Sequence, residues 1–218
     1  MRKLCYDGRL RYKAALFDFD GTLADSADWC IEAINEIAGE FGFRGIRKDE
    51  FDSVRGMNTQ QLIKHLGLPM WKLPALMVRM RKLAARDINR IKVFEGIPQM
   101  LRDLQSLGMQ AAVVTSNSRE NVEQVLGAEN LALMRGLFCG ASLLGKAPKL
   151  KAAARKLGTP PSECIYIGDE IRDATAAGDA GMDFGAVAWG YAWFEALKRQ
   201  NPALAFQSID QVATMLAA

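Results

Sequence analysis

Short, continuous runs of apolar residues that end in polar ones recur along the chain. The clearest are "AALFDFDG" (14–21), "MQAAVVTSNS" (109–118) and "ECIYIGDE" (163–170), and "GLFCGAS" (136–142) and "FGAVAWG" (184–190) fit the same description. Runs of this kind are typical of parallel strands whose sheet is covered by helices on both faces. Helical spacing follows most of them, so the pattern predicts an α/β fold with a doubly wound parallel sheet.

Helical segments lie between these predicted strands. In "IPQMLRDLQSLG" the residues Ile97, Leu101, Leu104 and Leu107 form one apolar stripe, and Gly108 follows it. Apolar residues three and four apart share one face of a helix, and glycine commonly ends one. We therefore predict a helix here that stops at Gly108.

No convincing strand is found between Gly21 and about Val93, a span far longer than an ordinary crossover. The span carries helical stripes, with Asn58 as an N-cap and Gly67 just after a helix end. We predict a core domain of residues 1–22 and 92–218 and a helical cap domain of residues 23–91. Its basic positions are expected to form a solvated helix surface: Arg79, Arg81, Lys82, Arg86, Arg90 and Lys92.

Three carboxylates follow predicted strands. Asp18 and Asp20 are two residues apart, so in an extended chain they point to one side, and Asp169 ends another strand. Strand ends of an open α/β sheet meet in one crevice. Crowded acids repel one another unless a cation neutralises them, and an oxygen-only site suits Mg²⁺. A magnesium site formed by Asp18, Asp20 and Asp169 is predicted, with a simple Asp-Gly turn as the alternative.

Hydroxyl and amide groups end the strand before "TSNSREN". Thr115 and the backbone N–H groups of Ser116 and Asn117 are candidates for holding a phosphate dianion, because helix N-termini favour anions. Either Asn117 or Ser118 is expected as the N-cap, with Glu120 placed for a capping box. A plain helix cap with nothing bound is the alternative.

Two more charged positions are candidates for the same crevice. Lys146 in "LLGKAPKL" follows a predicted strand end and supplies a point charge for a phosphate oxygen, although most lysines are solvated. Asp169 and Asp173 are spaced for one face of a helix. Acids in a first helical turn also complement the helix dipole, which is a purely structural explanation for them.

Composition and charge exclude several functions. The 28 basic and 25 acidic residues give a net charge of +3, too small to indicate a nucleic-acid partner. The four cysteines lie far apart without metal-ligand spacing, as in a reducing compartment. No apolar run approaches the length of a membrane span, and the start lacks a signal-peptide core. We expect a cytoplasmic protein with no membrane partner. The residues around Asp7-Gly8 suit a small hairpin, with a frayed basic tail as the alternative.

The motifs "DFDGTL", "VVTSNS", "GKAPKL" and "GDEIRDATAAGDAG", in this order, make the chain resemble the haloacid dehalogenase superfamily of phosphohydrolases. The resemblance covers residue 13 to the C-terminus. It implies a Rossmann-like core and an inserted helical cap of the C1 type. It also implies a nucleophile, Asp18, a general acid and base, Asp20, and further roles at matching positions: Thr115 and Lys146 as phosphate ligands, Asp169 as a magnesium ligand, and Asp173 in support of the metal site.

The segments "FEGIPQMLRDLQSLG" and "VAWGYA" are most similar to phosphoglycolate-phosphatase-like members of that superfamily. The chain after Lys146 is shorter than in many relatives, which makes Lys149 the alternative phosphate-binding lysine. Arg55 in "VRGMN" is a candidate for reaching from the cap to the substrate, and capping of backbone carbonyls is its alternative role.

These features predict a Mg²⁺-dependent phosphatase that acts on a small phosphorylated metabolite, such as phosphoglycolate or a sugar phosphate, through an aspartyl phosphate. A phosphosugar mutase is a competing interpretation, but the mutases that the chain resembles carry a histidine where it has Cys30, and its only histidine, His65, lies elsewhere. A metal-independent dehalogenase would use the same first aspartate without a metal, and the presence of Asp20 and Asp169 argues against it. A non-catalytic binding module is the third alternative. The sequence leaves open whether the protein is a monomer or a dimer.

Overall fold

A computed structural model describes residues 10–142 and 145–218 of the chain, so the hairpin expected at Asp7-Gly8 lies outside the described residues. The strands of this part are β1 (Ala14–Phe17), β2 (Ala24–Asp25), β3 (Lys92–Val93), β4 (Gln110–Val114), β5 (Met134–Phe138), β6 (Cys164–Gly168), β7 (Asp183–Val187) and β8 (Leu204–Phe206).

The α-helices of the same residues alternate with these strands, and short 3₁₀ turns join several of them. The helices are α1 (Ala27–Phe41), α2 (Phe51–Arg55), α3 (Thr59–Leu66), α4 (Leu73–Arg86), α5 (Ile97–Ser106), α6 (Arg119–Ala132), α7 (Ala147–Leu157), α8 (Ile171–Ala180), α9 (Phe194–Lys198) and α10 (Gln211–Ala217).

Six strands form one parallel sheet in the order β5-β4-β1-β6-β7-β8. The chain moves outward from β1 through β4 to β5 and then returns to the other side of β1 at β6. The strand order therefore reverses beside β1, where ligands of doubly wound folds bind. The predicted α/β, Rossmann-like fold class is confirmed.

The apolar strand runs are buried on both sheet faces. Ala15 and Phe17 of β1 pack into one apolar cluster, whereas Ala14 and Leu16 pack into another on the opposite face. Helices α7 and α8 contribute Leu150 and other apolar residues to the second cluster. This two-sided burial explains why the strands read as continuous rather than alternating apolar runs.

Helices α1 to α4 occupy the long span between β2 and β3, as its apolar stripes indicated. Asn58 caps α3 by accepting a hydrogen bond from Gln61, and Gly67 ends it in a left-handed conformation, as predicted. β2 and β3 pair antiparallel, Ala24 opposite Val93, and form a two-stranded stem below the helices. We did not expect this stem. The proposed domain boundary at residues 22/23 lies just before β2, and the one at residues 91/92 lies at the start of β3. Both boundaries stay predictions.

The basic positions of the insertion have two kinds of partner. Arg79, Arg86 and Arg90 form ion pairs with Glu40, Glu36 and Glu32 of α1. All of these pairs are at least partly exposed, in agreement with the expected solvated surface. Arg81 does not fit that expectation, because it is half-buried and its Nε donates to the carbonyl of Ser116 at 2.9 Å. The side chain lies on the inward face of α4, against the strand edge of the core.

Candidate active site

Three polar strand ends meet beside the point where the strand order reverses. Phe17 at the end of β1 pairs with Val113 of β4 and Ile167 of β6, so the residues that follow these strands lie at one edge. Asp18 donates its backbone N–H to Ile167 O at 2.9 Å. The structure thereby brings the region after β1, with Asp18, together with Thr115 after β4 and Asp169 after β6.

A buried lysine connects two of the carboxylates. Lys146 Nζ donates to Asp18 Oδ2 at 2.5 Å, to Asp173 Oδ1 at 2.8 Å and to the hydroxyl of Tyr166 at 3.0 Å. Only 2% of Lys146 is exposed. Burial disfavours the ammonium ion, but the carboxylates of Asp173 and Asp18 outweigh this and raise the pKa of Lys146. The lysine is therefore charged.

The alternative lysine lies elsewhere. Lys149 is one turn into α7, and its Nζ donates to the backbone carbonyl of Cys139 at 2.9 Å. Lys146 immediately precedes α7, and its side chain enters the carboxylate group. The structure therefore places Lys146, and not Lys149, beside Asp18.

Asp18, Asp169 and Asp173 form a buried carboxylate cluster, with one oxygen of each within 4.8 Å of the others. Burial, opposed by Lys146, raises the pKa of Asp18 to about 7. Burial also raises the pKa of Asp169 well above its usual value, and the charges of Glu170 and Asp18 add to this. Adjacent buried carboxylates of this kind destabilise their charged forms unless a cation lies among them. The donor set therefore fits a hard divalent metal ion.

Asp169 is held tightly from several sides. Its Oδ1 accepts from the Thr22 hydroxyl at 2.7 Å, and its Oδ2 accepts from the Tyr191 N–H at 2.8 Å. A Cβ atom added to Gly21 would lie 2.3 Å from Asp169 Oδ2, and one added to Gly190 would lie 2.1 Å from Asp169 Cβ. Both glycines are required for this close approach, because any side chain there would displace the carboxylate.

Asp20 lies apart from the carboxylate cluster, which differs from the predicted set of three. β1 ends at Phe17, so the chain at Asp20 has already turned and the two-residue alternation no longer applies. The Asp20 carboxylate accepts from Asn117 Nδ2 at 3.1 Å and from the Ser26 hydroxyl at 3.2 Å. Burial raises its pKa, which favours a proton on this carboxyl. Asp173, expected only in support, belongs to the cluster in its place.

The segment after β4 forms a tight turn before α6. Thr115 is buried, and its Oγ1 accepts from the N–H of Asn117 at 3.0 Å, so this N–H is not free for a phosphate as expected. Ser118 is the N-cap and accepts from the N–H of Asn121. Because the third helical residue is then Asn121, the expected capping box with Glu120 is wrong. Ser116 lies between Thr115 and Asn117, within this turn.

Among the described residues, Arg55 contacts backbone carbonyls of a core loop, and not the helix-end carbonyls of its alternative role. Its Nε donates to Tyr191 O at 2.9 Å and its Nη2 to Gly190 O at 3.1 Å. In return, the backbone N–H of Trp193 donates to Arg55 O at 3.1 Å. Arg55 thus fastens α2 of the insertion to the loop after β7 that holds Asp169. Contact with a substrate stays a prediction for this residue.

A cavity of about 240 Å³ lies between the inserted helices and the strand edge. Asp20, Ser116 and Asn117 line it on the core side, and Arg81 lines it from α4. Of the four aspartates discussed above, Asp20 is the one that lines this cavity, so a small molecule in it would lie next to Asp20 and to the turn after β4.

A family profile described as haloacid dehalogenase-like hydrolase matches residues 15–187. The chain belongs to this family. The matched span includes the carboxylate cluster and Lys146, and ends at the last residue of β7. The family that the motifs resembled is therefore confirmed.

Two named relatives extend the comparison. The chain is 30% identical over 180 residues to a phosphoglycolate phosphatase of Synechococcus elongatus, covering 82% of this chain and 85% of the relative. It is 29% identical over 192 residues to an N-acetylmuramic acid 6-phosphate phosphatase of Pseudomonas aeruginosa, covering 84% of each. Together with the family, these relatives confirm the expected enzyme class, a phosphoric monoester hydrolase.

A haloacid dehalogenase-like hydrolase of Streptococcus pneumoniae has a similar fold. Its TM-score is 0.77 at 20% identity, covering 94% of this chain and 98% of that one. Among the described residues of this chain, no helix is long and apolar enough to cross a membrane. The cytoplasmic location stays a prediction.

Several residues that contact this site were not predicted from the sequence, among them Tyr166 and Arg81. Tyr166 lies in β6 under Lys146, and its hydroxyl lies 3.1 Å from Val114 O, to which it donates. A single polar residue inside the apolar run "CIYIG" was the available signal. Arg81 interrupts the apolar stripe of α4 between Met77 and Ala84, and a charge on an apolar face was the available signal there.

Proposed function

We propose that this family member is a Mg²⁺-dependent phosphatase that hydrolyses a small phosphate monoester through an aspartyl phosphate on Asp18. The observation that carries the proposal is the contact of Lys146 Nζ with Asp18 Oδ2, beside the carboxylates of Asp169 and Asp173. A carboxylate with an adjacent fixed cation can attack phosphorus while the charge on the phosphoryl oxygens is neutralised.

Asp18 and Asp169 would hold the metal ion, with Asp173 in support. When bound, Mg²⁺ neutralises phosphate oxygens and so lowers the repulsion between the ester and a carboxylate nucleophile. The Asp20 carboxylate is excluded from this set in the proposal, because Ser26 and Asn117 hold it outside the cluster.

Asp18 attacks the phosphorus atom in the first step, and the bond between phosphorus and the ester oxygen breaks. Asp20, whose pKa burial raises, gives its proton to the leaving alkoxide. Lys146 stabilises the ionised form of Asp18 and the charge on the phosphoryl group. Thr115 and the backbone N–H of Ser116 are proposed to position the phosphoryl oxygens, and the Asn117 side chain, which donates to Asp20, is proposed to position that carboxyl group.

Water completes the reaction. Asp20, now a carboxylate, takes a proton from a water molecule that attacks the phosphorus atom, and the bond between Asp18 and phosphorus breaks to release phosphate. The inserted helices above the cavity would limit the access of water to the first step. One residue then serves as the acid and as the base, with no net change in its protonation over the cycle.

A phosphosugar mutase is less well supported by the geometry. Cys30 lines the cavity, but burial raises the pKa of its thiol to about 12, so it is a poor acid or base at neutral pH. His65 lies 3.5 Å from Glu50 in the insertion and contacts Arg44, away from the carboxylate cluster. A phosphate monoester that releases a free alcohol is therefore the proposed substrate, with phosphoglycolate and sugar phosphates as the first esters to assay.

The test is turnover of p-nitrophenyl phosphate and of a panel of metabolite phosphates with Mg²⁺ and with a chelator. We expect activity only with the metal, and full activity in the chelator would contradict the proposal. Asp18→Asn should remove turnover and should not accumulate a phosphoenzyme, because an amide is a poor nucleophile. A phosphorylated Asp18→Asn protein would show that another residue is the nucleophile. Efficient hydrolysis of a phosphoprotein with poor turnover of all small esters would contradict the substrate class.

A further inference from the structure

The cavity above the strand edge has walls of two different kinds. Its core side carries Asp20, Ser116 and Asn117, which belong to the proposed catalytic and phosphate-binding residues. Its cap side is formed largely by apolar side chains of α1, α3 and α4 and of the segment before α3, among them Ile34, Met57, Leu62, Met77 and Met80. A phosphate group at the core side would therefore direct the organic part of the ester against apolar walls.

These five apolar residues are only half-buried, whereas their neighbours Ile63 and Leu76 are buried in the packing of the insertion. Part of their apolar surface therefore still faces the cavity. Burying such surface against an apolar ligand is favourable, at about 25 cal/mol per Å². Unbranched methionine side chains adapt to ligands of differing shape.

The charged groups of the lining lie at the phosphate end or are paired. Arg81 is tied to Ser116 O, next to the turn proposed to hold the phosphoryl group. Arg172 forms an ion pair with Glu170 at 2.5 Å. The Thr59 hydroxyl of the lining has no hydrogen-bond partner among the described residues, so it could pair with one polar group of a ligand. A second carboxylate on the substrate, or several hydroxyls, would otherwise be placed mainly against Met, Leu and Ile side chains. Burying a polar group without a partner costs about 1–3 kcal/mol.

We infer that the organic part of the substrate is an apolar alkyl or aryl group rather than a carboxylate or a polyol. This inference rests on the proposed phosphatase function, and within the small phosphate monoesters it favours apolar esters over phosphoglycolate and sugar phosphates. A cavity of about 150 Å³ accommodates benzene, so the volume of about 240 Å³ admits an aryl ring or a chain of several carbons. The named relatives act on phosphates with polar organic parts, and this chain differs from them in that respect.

The test uses n-alkylphosphonates, which carry a phosphate-like group but cannot be hydrolysed. Their affinities are measured by calorimetry on the whole chain with Mg²⁺, from methyl- to hexylphosphonate. We expect the affinity to rise about fourfold for each added CH₂ until the cavity is filled, the factor that corresponds to about 0.8 kcal/mol per buried CH₂. Affinity that does not change with chain length would overturn the inference.

A matched pair of ligands separates apolar from acidic specificity. Butylphosphonate and 3-phosphonopropanoate are similar in length, but the second ends in a carboxylate. We expect butylphosphonate to bind at least tenfold more tightly. Tighter binding of the carboxylate would show that Arg81 receives an acidic substrate, and would overturn the inference.

Met80→Gln places an amide in the cavity wall, and Met70→Gln is the control, because Met70 is an exposed methionine of the same insertion outside the lining. Met80→Gln should reduce the gain per CH₂, whereas Met70→Gln should leave it unchanged. If the affinity gained per CH₂ is the same in both variants, the alkyl chain does not lie against Met80, and the assignment of this cavity wall is wrong. The wild-type series decides the inference even if Met80→Gln does not fold.

Turnover of p-nitrophenyl phosphate, measured in parallel, distinguishes a failure of the proposed phosphatase function from a failure of the apolar substrate class. A chain-length dependence without any turnover would overturn the phosphatase function and support the apolar ligand class. Turnover without a chain-length dependence would overturn only the apolar substrate class.

Discussion

The ammonium nitrogen of Lys146 lies 2.5 Å from Oδ2 of Asp18, and both residues are buried. The same nitrogen contacts Asp173, so one positive charge compensates two carboxylates that have little access to water. A buried charge that loses its partner is strongly destabilising, by about 3–5 kcal/mol. This lysine therefore contributes to folding as well as to the proposed chemistry.

Lys146→Met should lower both activity and stability. We expect kcat/KM to fall at least about 10²-fold and the free energy of unfolding to fall by about 3 kcal/mol without metal. Urea unfolding and phosphatase assays measure the two effects. Lys149→Met is the matched control, because Lys149 contacts only the Cys139 carbonyl among the described residues and should change activity little. Similar losses in both variants would show that the lysines have been assigned wrongly.

Asp20→Asn should affect esters according to their leaving group. With an alkyl ester, whose alkoxide needs a proton, turnover should fall about 10²–10⁴-fold, the usual contribution of general acid–base catalysis. With p-nitrophenyl phosphate, attack by Asp18 should be much less impaired, and an initial burst should precede slow hydrolysis of the aspartyl phosphate. Stopped-flow release of nitrophenolate measures the burst. Equal slowing of both esters with no burst would contradict the assigned role.

Mg²⁺ should stabilise the folded chain, because the ion would neutralise the cluster of Asp18, Asp169 and Asp173. At 100 times its dissociation constant, a ligand that binds only the folded state adds about 2.7 kcal/mol. Thermal unfolding with and without Mg²⁺ should show a higher Tm for the wild type and little change for Asp169→Asn. Asp179→Asn is a control on the exposed side of α8 and should respond like the wild type. An unchanged response of Asp169→Asn would place the metal elsewhere.

The strand pattern predicted most of the sheet but not its shortest parts. β1, β4 and β6 are buried on both faces, so their apolar runs identified them. β8 has only three residues at a sheet edge and is partly exposed, and β2 and β3 have two residues each. Strands this short carry too little periodicity to be recognised in a sequence.

Site residues were predictable where a motif lies directly at a strand end, as for Asp18 and Asp169. The position of Asp20 was not, because the turn after Phe17 redirects its side chain towards Ser26 and Asn117. Partners distant in sequence, such as Tyr166 for Lys146 and Ser116 for Arg81, depend on how helices dock on the sheet. That docking follows from tertiary packing, which local spacing does not encode.

Gly190→Ala should impair the site although no functional group is removed. The new Cβ would lie 2.1 Å from Asp169 Cβ, so the carboxylate or the loop after β7 has to move. We expect at least a tenfold loss of kcat/KM and weaker activation by Mg²⁺. Gly178→Ala is the control, since no heavy atom lies within 4 Å of its Cβ position and alanine favours a helix. Wild-type activity of Gly190→Ala would show that the site tolerates this shift.

Asp87 should make the insertion sensitive to acid. Hydrogen bonds from Arg86 and Trp29 lower the pKa of Asp87 to about 2, below its usual value of 3.8. A folded-state pKa below the unfolded value stabilises the fold above about pH 4, and this contribution is lost as the pH falls towards 2. Asp87→Asn should therefore be about 1 kcal/mol less stable at pH 7, and the difference should shrink as the pH falls from 4 to 2 and vanish below pH 2.

Urea unfolding at several pH values measures this dependence. Asp49→Asn is the control, because Asp49 pairs with Arg47 at a fully solvated position and exposed pairs contribute little. A difference between Asp87→Asn and the wild type that does not decrease between pH 4 and pH 2 would mean that Asp87 acts through packing and not through its charge.

The two-stranded stem of β2 and β3 places the entry and exit of the inserted helices on neighbouring strands, with Asp25 opposite Lys92. Paired antiparallel residues have Cα atoms only about 4.5–5.5 Å apart, a gap that a tight hairpin turn can bridge. The helices between them could thus be exchanged without changing the sheet register, provided that the new segment supplies contacts to the core like those of Arg55 and Arg81. Evolution can in this way change what enters the site without rebuilding the residues that react.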